Sequence, residues 1–409
     1  MRVCMISYSF YQYDTRVQQY AGALRRRGDT VDVIALRPEG LSKLEIVDGV
    51  NVYGIQHRAR DERGPLPYLV RILRFFFHSA LMTSLRHIAN PYQLIHVHSV
   101  PDFLVFAGLI PKLCGVPVIL DIHDILPEFY SSKFNASPSA FAFKLLLLVE
   151  KASATFANHV IIANHLWHER LLSRSTRAEK CTPIRNYPDP RIFVVRPKGR
   201  SDEKFLMMYP GTLNSHQGVD IAIKAFAKIK NQLPNAEFRI YGEGPTKPQL
   251  VTLAAELGLN GRVLFKDFVP IGQIARLMAD TDLAVVPKRA SSSFGTEAAS
   301  TKVFEFLALG VPVIVSRTKI DGSYFNDSTV KFFESENVDD LARCMLQLAQ
   351  EQPLRAQFAR KGLEYTQRNN WDVKQQDYLR LVDLLVRGNV TVQQAESPDA
   401  RSQQSLPLS

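Results

Sequence analysis

Short apolar runs alternate with amphipathic stretches along nearly the whole chain. Residues 1–9 are mostly apolar and predict a buried strand, residues 17–27 follow with helical spacing, and residues 31–36 predict a second strand. Gly28 comes directly after the last periodic residue of the helix, which is typical of a helix C-terminus. This strand–helix–strand order is how a parallel α/β sheet begins.

The same alternation continues and then restarts in the second half of the chain. Further strands are predicted at 94–98, 116–121, 160–162, 205–209, 237–241, 263–265 and 283–287, and further helices at 141–157, 219–233, 338–350, 353–369 and 371–386. The proline-rich stretch 183–190 has no periodicity and predicts a domain boundary. Residues 389–409 are poor in hydrophobic side chains, which predicts a disordered tail.

One predicted helix, residues 66–89, is both basic and aromatic. Arg71, Arg74 and Arg86 lie beside a broad apolar face, a combination that suits the surface of an anionic membrane. The alternative is a helix that covers the sheet. The breadth of the apolar face favours this alternative.

Composition narrows the class of protein. The 409 residues are too many for one core and fit two domains of about 150–200 residues each. The net charge of +10 favours anionic partners, but the aromatic residues are not interleaved with a basic stripe, which argues against nucleic acid. Four scattered cysteines fit reduced thiols in the cytosol, and no apolar run predicts a membrane span or a signal peptide.

The stretch 296–316 holds the first candidate chemistry. It predicts a helix that ends at Gly310 and a following strand, and Glu305 lies in the apolar run of that helix, where a structural helix seldom places a carboxylate. A helix N-terminus after a loop of small polar residues offers unpaired N–H groups to an anion. We interpret the stretch as a nucleotide site in which the helix start holds phosphate and Glu305 binds a ribose. A surface helix with one solvated glutamate is the alternative.

Two further groups are candidates for ligand binding. His123 follows the strand 116–121, at the strand end where open α/β sheets bind ligands. It is interpreted as a hydrogen-bond donor to a substrate, a general base, or a structural partner of Asp124. Turns that contain glycine follow two predicted strands, at 210–218 and 242–245, which lets the backbone approach phosphate.

Taken in order, these pieces resemble glycosyltransferase family 4, a group of retaining nucleotide-sugar transferases with the GT-B fold. Glu297 and Glu305 match the family's two glutamates separated by seven residues, and 305–314 match the signature that follows. The other matching segments are the Asp-Thr-Arg string 14–16, the His-Asp stretch 121–128, the crossover 184–186 and the glycine turn 241–245. The string 14–16 is similar to the start of bacterial envelope-polysaccharide members. The resemblance extends to about residue 388.

The resemblance implies an α/β fold of the GT-B type, with two Rossmann-like, doubly wound parallel-sheet domains that face each other across a cleft. It implies an acceptor-side domain at 1–185, a linker at 186–204 and a nucleotide-sugar-binding domain at 205–370. A helix at 371–388 is expected to cross back to the first domain.

The resemblance also implies roles for single residues. Glu305 holds the donor ribose, while Glu297 and His123 contact the transferred sugar and are the catalytic candidates. The other donor-side candidates are Gly211, Thr212, Gln217, Gly242, Glu243, Gly244, Ser300, Thr301 and Lys302, and the acceptor-side candidates are Asp14 and Arg16. Retention in this family is attributed to front-face attack in which the leaving diphosphate helps to deprotonate the acceptor. Such a mechanism does not need the two carboxylates that glycosidases place around the bond.

Two departures from the family pattern concern the donor site. Thr212 and Gln217 stand where the family usually has an Arg and a Lys that bind the diphosphate. Charge-assisted hydrogen bonds are roughly twice as strong as neutral ones. Lys302 either replaces that charge or pairs with Glu305, three residues on. The first loop, 7–13, lacks the usual pair of glycines, which affects how acceptor and diphosphate fit the first domain.

We therefore expect a cytosolic, retaining, hexosyltransferase-like enzyme, with a peripheral association with the inner face of the membrane. It would move a sugar from a nucleoside diphosphate donor, most simply UDP-linked, to an envelope glycan or lipid-linked precursor. We expect no cofactor and no nucleic acid. We also expect no metal, because the acidic string 280–282 lies at a helix boundary. The alternatives are a nucleotide-sugar epimerase of the same fold, a catalytically inactive nucleotide-binding or scaffold protein, and a membrane-binding module.

Overall fold

The computed structural model describes residues 1–57, 65–134, 137, 140–291 and 293–388. The N-terminal sheet has eight strands: β1 Arg2–Phe10, β2 Thr30–Arg37, β3 Leu44–Val47, β4 Val50–His57, β5 Leu94–His98, β6 Val118–Ile122, β7 His159–Ile162 and β8 Cys181–Pro183. Their order is β3-β4-β2-β1-β5-β6-β7-β8, and every pair is parallel except β3 with β4. The helices around this sheet are α1 Thr15–Arg26, α2 Pro65–Ala89, α3 Leu109–Leu113, α4 Leu126–Phe134, α5 Phe141–Phe156 and α6 His165–Arg174.

The C-terminal sheet has six parallel strands: β9 Phe205–Pro210, β10 Ala236–Tyr241, β11 Val263–Lys266, β12 Leu283–Val286, β13 Val313–Ser316 and β14 Lys331–Phe333. Their order is β11-β10-β9-β12-β13-β14. The helices are α7 Val219–Ile229, α8 Lys247–Glu256, α9 Ile271–Ala279, α10 Ser293–Glu297, α11 Thr301–Ala308, α12 Lys319–Tyr324, α13 Val338–Gln350 and α14 Gln352–Arg368.

Both faces of the N-terminal sheet are buried, which explains its near-continuous apolar strands. On β1, Cys4 and Ile6 belong to one apolar cluster, whereas Val3 and Met5 belong to a second cluster. Successive side chains of a strand point to opposite faces, so helices must cover both sides of a sheet with such strands. The predicted class, two doubly wound parallel sheets, is confirmed.

The strand order indicates where each sheet has a crevice that can bind a ligand. It reverses next to β1 in the N-terminal sheet and next to β9 in the C-terminal sheet. Ligands of open α/β sheets bind outside the carboxyl ends of the strands at such reversal points. The predicted site residues 14–16 and 211–217 follow these two strands in sequence.

The last helix, α15 Trp371–Arg387, packs on the N-terminal domain. Trp371, Tyr378 and Leu381 are buried in the same apolar cluster as Val17 of α1. The proposed boundaries at 185, 204 and 370 stay predictions, and the tail 389–409 lies outside the described residues.

Two predicted helices differ from the observed ones. The helix expected over 219–233 ends at Ile229 and is followed by a turn before β10. The loop of small polar residues expected before the Glu305 helix contains a short helix of its own, α10, which ends at Glu297. Helix α11 begins only at Thr301, with Ser300 in extended conformation at its N-cap.

Helix α2 has two apolar faces. Ile72 and Phe75 are buried against the N-terminal sheet, so the prediction of a sheet-covering helix holds for that face. The opposite face is exposed. Within the described ranges, no helix is both long and apolar enough to cross a membrane.

Candidate active site

Glu305 lies half-buried on α11 and lines a cavity of about 50 Å3 together with Thr301. We call it the Glu305 cavity; its other walls include Thr15 of α1 and Asn186 and Tyr187 of the crossover segment. Burial raises the pKa of the Glu305 carboxyl to about 7, although Lys302 acts to lower it. The cavity of Glu305 therefore lies at the junction between the two domains, and Asp189 also lines it.

The Lys302 side chain reaches the turn after β9. Its Nζ donates to Gln217 Oε1 at 3.2 Å and lies 4.9 Å from the centre of the Tyr209 ring. A Cβ added to Gly211 would come within 2.9 Å of Lys302 Cε. Burial lowers the pKa of the Lys302 ammonium to about 8, with Glu305 acting in the opposite direction. Among the described ion pairs, none joins Lys302 to Glu305 within 4.0 Å, so their pairing is not observed.

The two glycine turns lie against each other at the carboxyl ends of β9 and β10. Gly211 and Gly242 have φ angles of 137° and 140°, a region that favours glycine. A Cβ on Gly242 would lie 1.9 Å from the Gly211 oxygen, and one on Gly244 would lie 2.3 Å from the Leu213 oxygen. Leu213 N also donates to Glu243 O at 2.8 Å, which joins the turns directly. Glycine is therefore required here by backbone packing alone.

The other candidate residues of these turns, Thr212, Gln217 and Glu243, are exposed or half-buried. Thr212 is exposed, and its carbonyl accepts from Tyr209 Oη at 3.0 Å. Gln217 is half-buried, and Glu243 is exposed with its carboxylate 2.6 Å from Lys247 Nζ. In this region Lys302 is the predicted site residue that brings a positive charge to the β9 turn.

The α11 N-terminus has an incomplete hydrogen-bonding arrangement. The Ser300 hydroxyl is buried without a hydrogen-bond partner in the described part of the chain, and it makes no capping bond to the helix. Thr301 is exposed. The first-turn amides of a helix have no partners within the helix, so this end offers donors to an anion.

His123 belongs to a buried charge network in the N-terminal domain. His123 Nε2 lies 3.0 Å and His98 Nδ1 3.1 Å from Asp121 Oδ2, and Arg16 binds both carboxylate oxygens at 2.6 and 2.8 Å. Burial alone would raise the pKa of Asp121, but Arg16 and His123 hold it well below its usual value. The ionised Asp121 thus fixes the imidazole of His123, whose side chain is 20% exposed.

The acceptor-side candidates have different environments. Asp14 lines a cavity of about 270 Å3 with His123 and Tyr68, which we call the His123 cavity, and its carboxylate also caps α1 through Val17 N. Arg16 is buried behind Asp121 and does not line this cavity. Asp14 lines the His123 cavity, and the next residue, Thr15, lines the Glu305 cavity. The two cavities are therefore neighbours.

Glu297 is held by the N-terminal domain. Arg170 Nη2, from α6, lies 2.7 Å from both carboxylate oxygens of Glu297, and Asn164 Nδ2 donates to the Glu297 carbonyl at 3.1 Å. Beside them, the Phe294 ring stacks on Trp167 with centroids 5.7 Å apart. Helix α10 therefore forms one contact between the two domains.

Sequence reasoning did not single out three residues that shape this region. Asp121 precedes His123 by two positions, a spacing that indicates a shared direction and was an available signal. The sequence around Arg170 does not indicate its role, because its partner Glu297 lies 127 residues away in the chain. Lys288 is 2% exposed, forms a 2.9 Å ion pair with Asp321 and donates to Ala298 O at 2.6 Å, which fixes the loop before Ser300.

Two groups that contain possible metal ligands are already engaged by donors within the described residues. His96, His98 and Asp121 bring ligand atoms within 4.8 Å of one another, but both oxygens of Asp121 already accept from Arg16. In the string 280–282, Asp282 is bonded by Lys198 and Arg200, and Asp280 accepts from the Gly199 amide at 2.7 Å. These contacts attach the linker to the C-terminal sheet.

Comparison with known proteins identifies both domains. A family model described as "Glycosyl transferase 4-like domain" matches residues 13–187, and one described as "Glycosyl transferases group 1" matches residues 192–365. An uncharacterized glycosyltransferase of Methanocaldococcus jannaschii is 25% identical over 338 residues, which is 77% of this chain and 80% of that protein. The amylovoran biosynthesis glycosyltransferase AmsK of Erwinia amylovora is 26% identical over 153 residues, 37% of this chain and 38% of that protein.

Among solved structures, HepE of Anabaena in complex with UDP-glucose has the same fold, with a TM-score of 0.69 at 18% identity over 94% of this chain and 100% of that chain. Two parallel-sheet domains arranged in this way are the architecture of the GT-B class of nucleotide-sugar enzymes. The two family models place the chain within that class: it belongs to the GT4-type glycosyltransferases.

Proposed function

We propose that this chain is a retaining glycosyltransferase that transfers a sugar from a UDP-sugar to a cell-envelope glycan or lipid-linked precursor. The observation that carries the proposal is the position of Lys302, whose ammonium lies at the β9 turn beside Gln217 and Gly211. A departing diphosphate must be stabilised by fixed donors and cations. Lys302 supplies that cation where Thr212 and Gln217 do not.

The remaining donor contacts follow from the same surface. The amides of Ser300 and Thr301 would face the diphosphate, and Glu305 would accept from the ribose hydroxyls in its cavity. The proposal needs no metal, because Lys302 and the helix N-terminus supply the positive charge. HepE, which has the same fold, was crystallised with UDP-glucose, and this supports a UDP donor.

The chemical step would rest on positioning. His123, fixed by Asp121, would hold the donor sugar, and Glu297, fixed by Arg170, would contact it from the opposite domain. In front-face attack the leaving diphosphate takes the acceptor proton, so neither Glu297 nor Glu305 has to act as a base. In this proposal residues 205–370 bind the donor, and 1–185 with 371–388 form the acceptor side.

The acceptor assignment has separate support. AmsK is named for the biosynthesis of the polysaccharide amylovoran, and this chain matches about a third of it. The His123 cavity, at about 270 Å3, gives room for an acceptor sugar next to the donor site. An envelope glycan or its lipid-linked precursor is the acceptor class that fits both observations.

A thermal-shift screen against UDP-, GDP-, ADP- and dTDP-sugars without metal tests the donor. A ligand that binds only the folded state stabilises it in proportion to the logarithm of its concentration over its Kd, so we expect a selective shift with one UDP-sugar. Release of UDP with a glycan acceptor then tests transfer. A shift without turnover would favour a catalytically inactive binding protein, which the neutral Thr212 and Gln217 also suit. No shift with any donor would refute the donor assignment.

A further inference from the structure

The outward face of α2 is apolar along most of its length. It presents six large side chains at helical spacing, with exposures between 38% and 72%: Leu69, Leu73, Phe77, Leu81, Leu85 and Ile88. The opposite face packs on the sheet through Ile72 and Phe75. Sheet packing therefore does not explain the outer stripe. Exposed apolar patches of this kind mark interaction sites.

The neighbouring helices extend this apolar surface. On α3, which contacts α2, Leu113 is 74% exposed. On α5, Phe141 and Leu148 are 82% and 64% exposed, and both α5 and α2 pack on the 3-10 turn of residues 102–108. We call the exposed faces of α2, α3 and α5 together the outer apolar surface.

The charges around this surface indicate what it binds. Helix α2 contains three arginines and no Asp or Glu, and α3 contains one lysine and no acidic residue. Arg86 is paired with Asp32, but Arg74 on α2 and Lys144 on α5 are exposed. A cationic rim around an apolar surface complements anionic lipid head groups. A second copy of the chain would bring like charges together across a two-fold axis, which argues against dimerisation here.

We propose that the outer apolar surface docks on an anionic lipid bilayer, with α2 lying in the plane of the interface. The helix has 25 residues and is about 37 Å long, so its stripe gives an extended line of contact. Tyr68, in its first turns, lines the His123 cavity. Docking thus brings the end of α2 that lines this cavity to the membrane surface. If the proposed function holds, a lipid-linked acceptor reaches His123 without leaving the bilayer.

Co-sedimentation of the purified chain with vesicles tests the docking without any sugar nucleotide. One set contains phosphatidylglycerol and phosphatidylcholine, and the other contains phosphatidylcholine alone. The variant F77Q/L81Q removes apolar area with a neutral, helix-compatible residue and should weaken binding on the order of 100-fold. The matched control V195Q/V251Q changes two valines that are 54% and 44% exposed elsewhere, and should bind like the wild type.

A charge variant tests the electrostatic part. R74Q/K144Q should weaken binding to the anionic vesicles by about fivefold for each lost cation and change nothing at high salt. The UDP-dependent thermal shift should be equal in all variants, so docking and donor binding are judged separately.

Three results would overturn the proposal. The first is that the wild type fails to bind anionic vesicles. The second is that F77Q/L81Q binds them like the wild type. The third is a wild-type dimer in sedimentation velocity that F77Q/L81Q dissociates, because a second copy would then cover the surface.

Discussion

Replacing Lys302 by alanine tests the donor site where this chain departs from its family. The ammonium lies 3.2 Å from Gln217 Oε1, at the turn where a diphosphate would bind. A hydrogen bond to a charged group contributes about 1.5–3 kcal/mol. We therefore expect the Kd for UDP to rise about 10- to 150-fold in the variant. The Kd for uridine should not change, because uridine has no phosphate.

The pH dependence gives a second, independent signal. The pKa of Lys302 is about 8 because the side chain is buried, and only the protonated form attracts phosphate. UDP affinity should therefore be highest below pH 8 and fall as the pH rises above it, and binding near pH 8 should take up a proton. Lys302→Arg keeps its charge at every relevant pH and should abolish this decline.

Isothermal titration calorimetry in two buffers of different ionisation enthalpy measures both the Kd and the proton uptake. Lys224→Ala is the matched control, since this lysine is 48% exposed on α7 and pairs with Asp220 at 3.7 Å. It should behave like the wild type. Equal weakening of UDP and uridine by Lys302→Ala, or an unchanged proton uptake, would show that Lys302 does not bind the phosphate.

Three further variants test other parts of the site. Because the pKa of Glu305 is about 7, the affinity of the wild type for uridine, measured by calorimetry, should fall below pH 7. In Glu305→Gln the affinity for uridine should be weaker and independent of pH. A variant whose affinity still depends on pH would contradict the ribose role. Gly242→Ala places a Cβ 1.9 Å from a backbone oxygen and should cost about 3 kcal/mol or more in denaturant unfolding, whereas Gly272→Ala, with open space around it, should not. Arg170→Ala should lower stability by about 1–3 kcal/mol in the same assay, with partial rescue by lysine; no loss would mean that the Glu297 pair does not stabilise the domain contact.

Features encoded over short stretches were predictable from the sequence. The alternation of apolar strands and amphipathic helices predicts the two sheets, because each strand–helix unit is local in sequence. The apolar run around Glu305, which ends at Gly310, and the apolar residues after it also predict α11 and the following strand. The helix start was less exact, since Ser300 breaks the helix and only the backbone shows where the first free amides lie.

Features that depend on distant parts of the chain were not predictable. Arg170 and Glu297 are 127 residues apart, and neither has a local pattern that indicates the other. The exposure of the outer face of α2 was not predictable for a different reason. The sequence shows a wide apolar circumference, but only the position of the sheet shows that Ile72 is covered while Phe77 remains exposed.

The two domains hold different parts of the proposed site. Lys302 and Glu305 both lie on α11. Lys302 contacts Gln217 of the C-terminal domain, whereas Thr15 of the N-terminal domain lines the cavity of Glu305. Glu297 is attached to the same domain, but its carboxylate is held by Arg170 and its carbonyl by Asn164, both from the N-terminal domain. The proposed diphosphate contact of Lys302 therefore depends on the C-terminal domain alone, whereas the arrangement around Glu297 requires both domains.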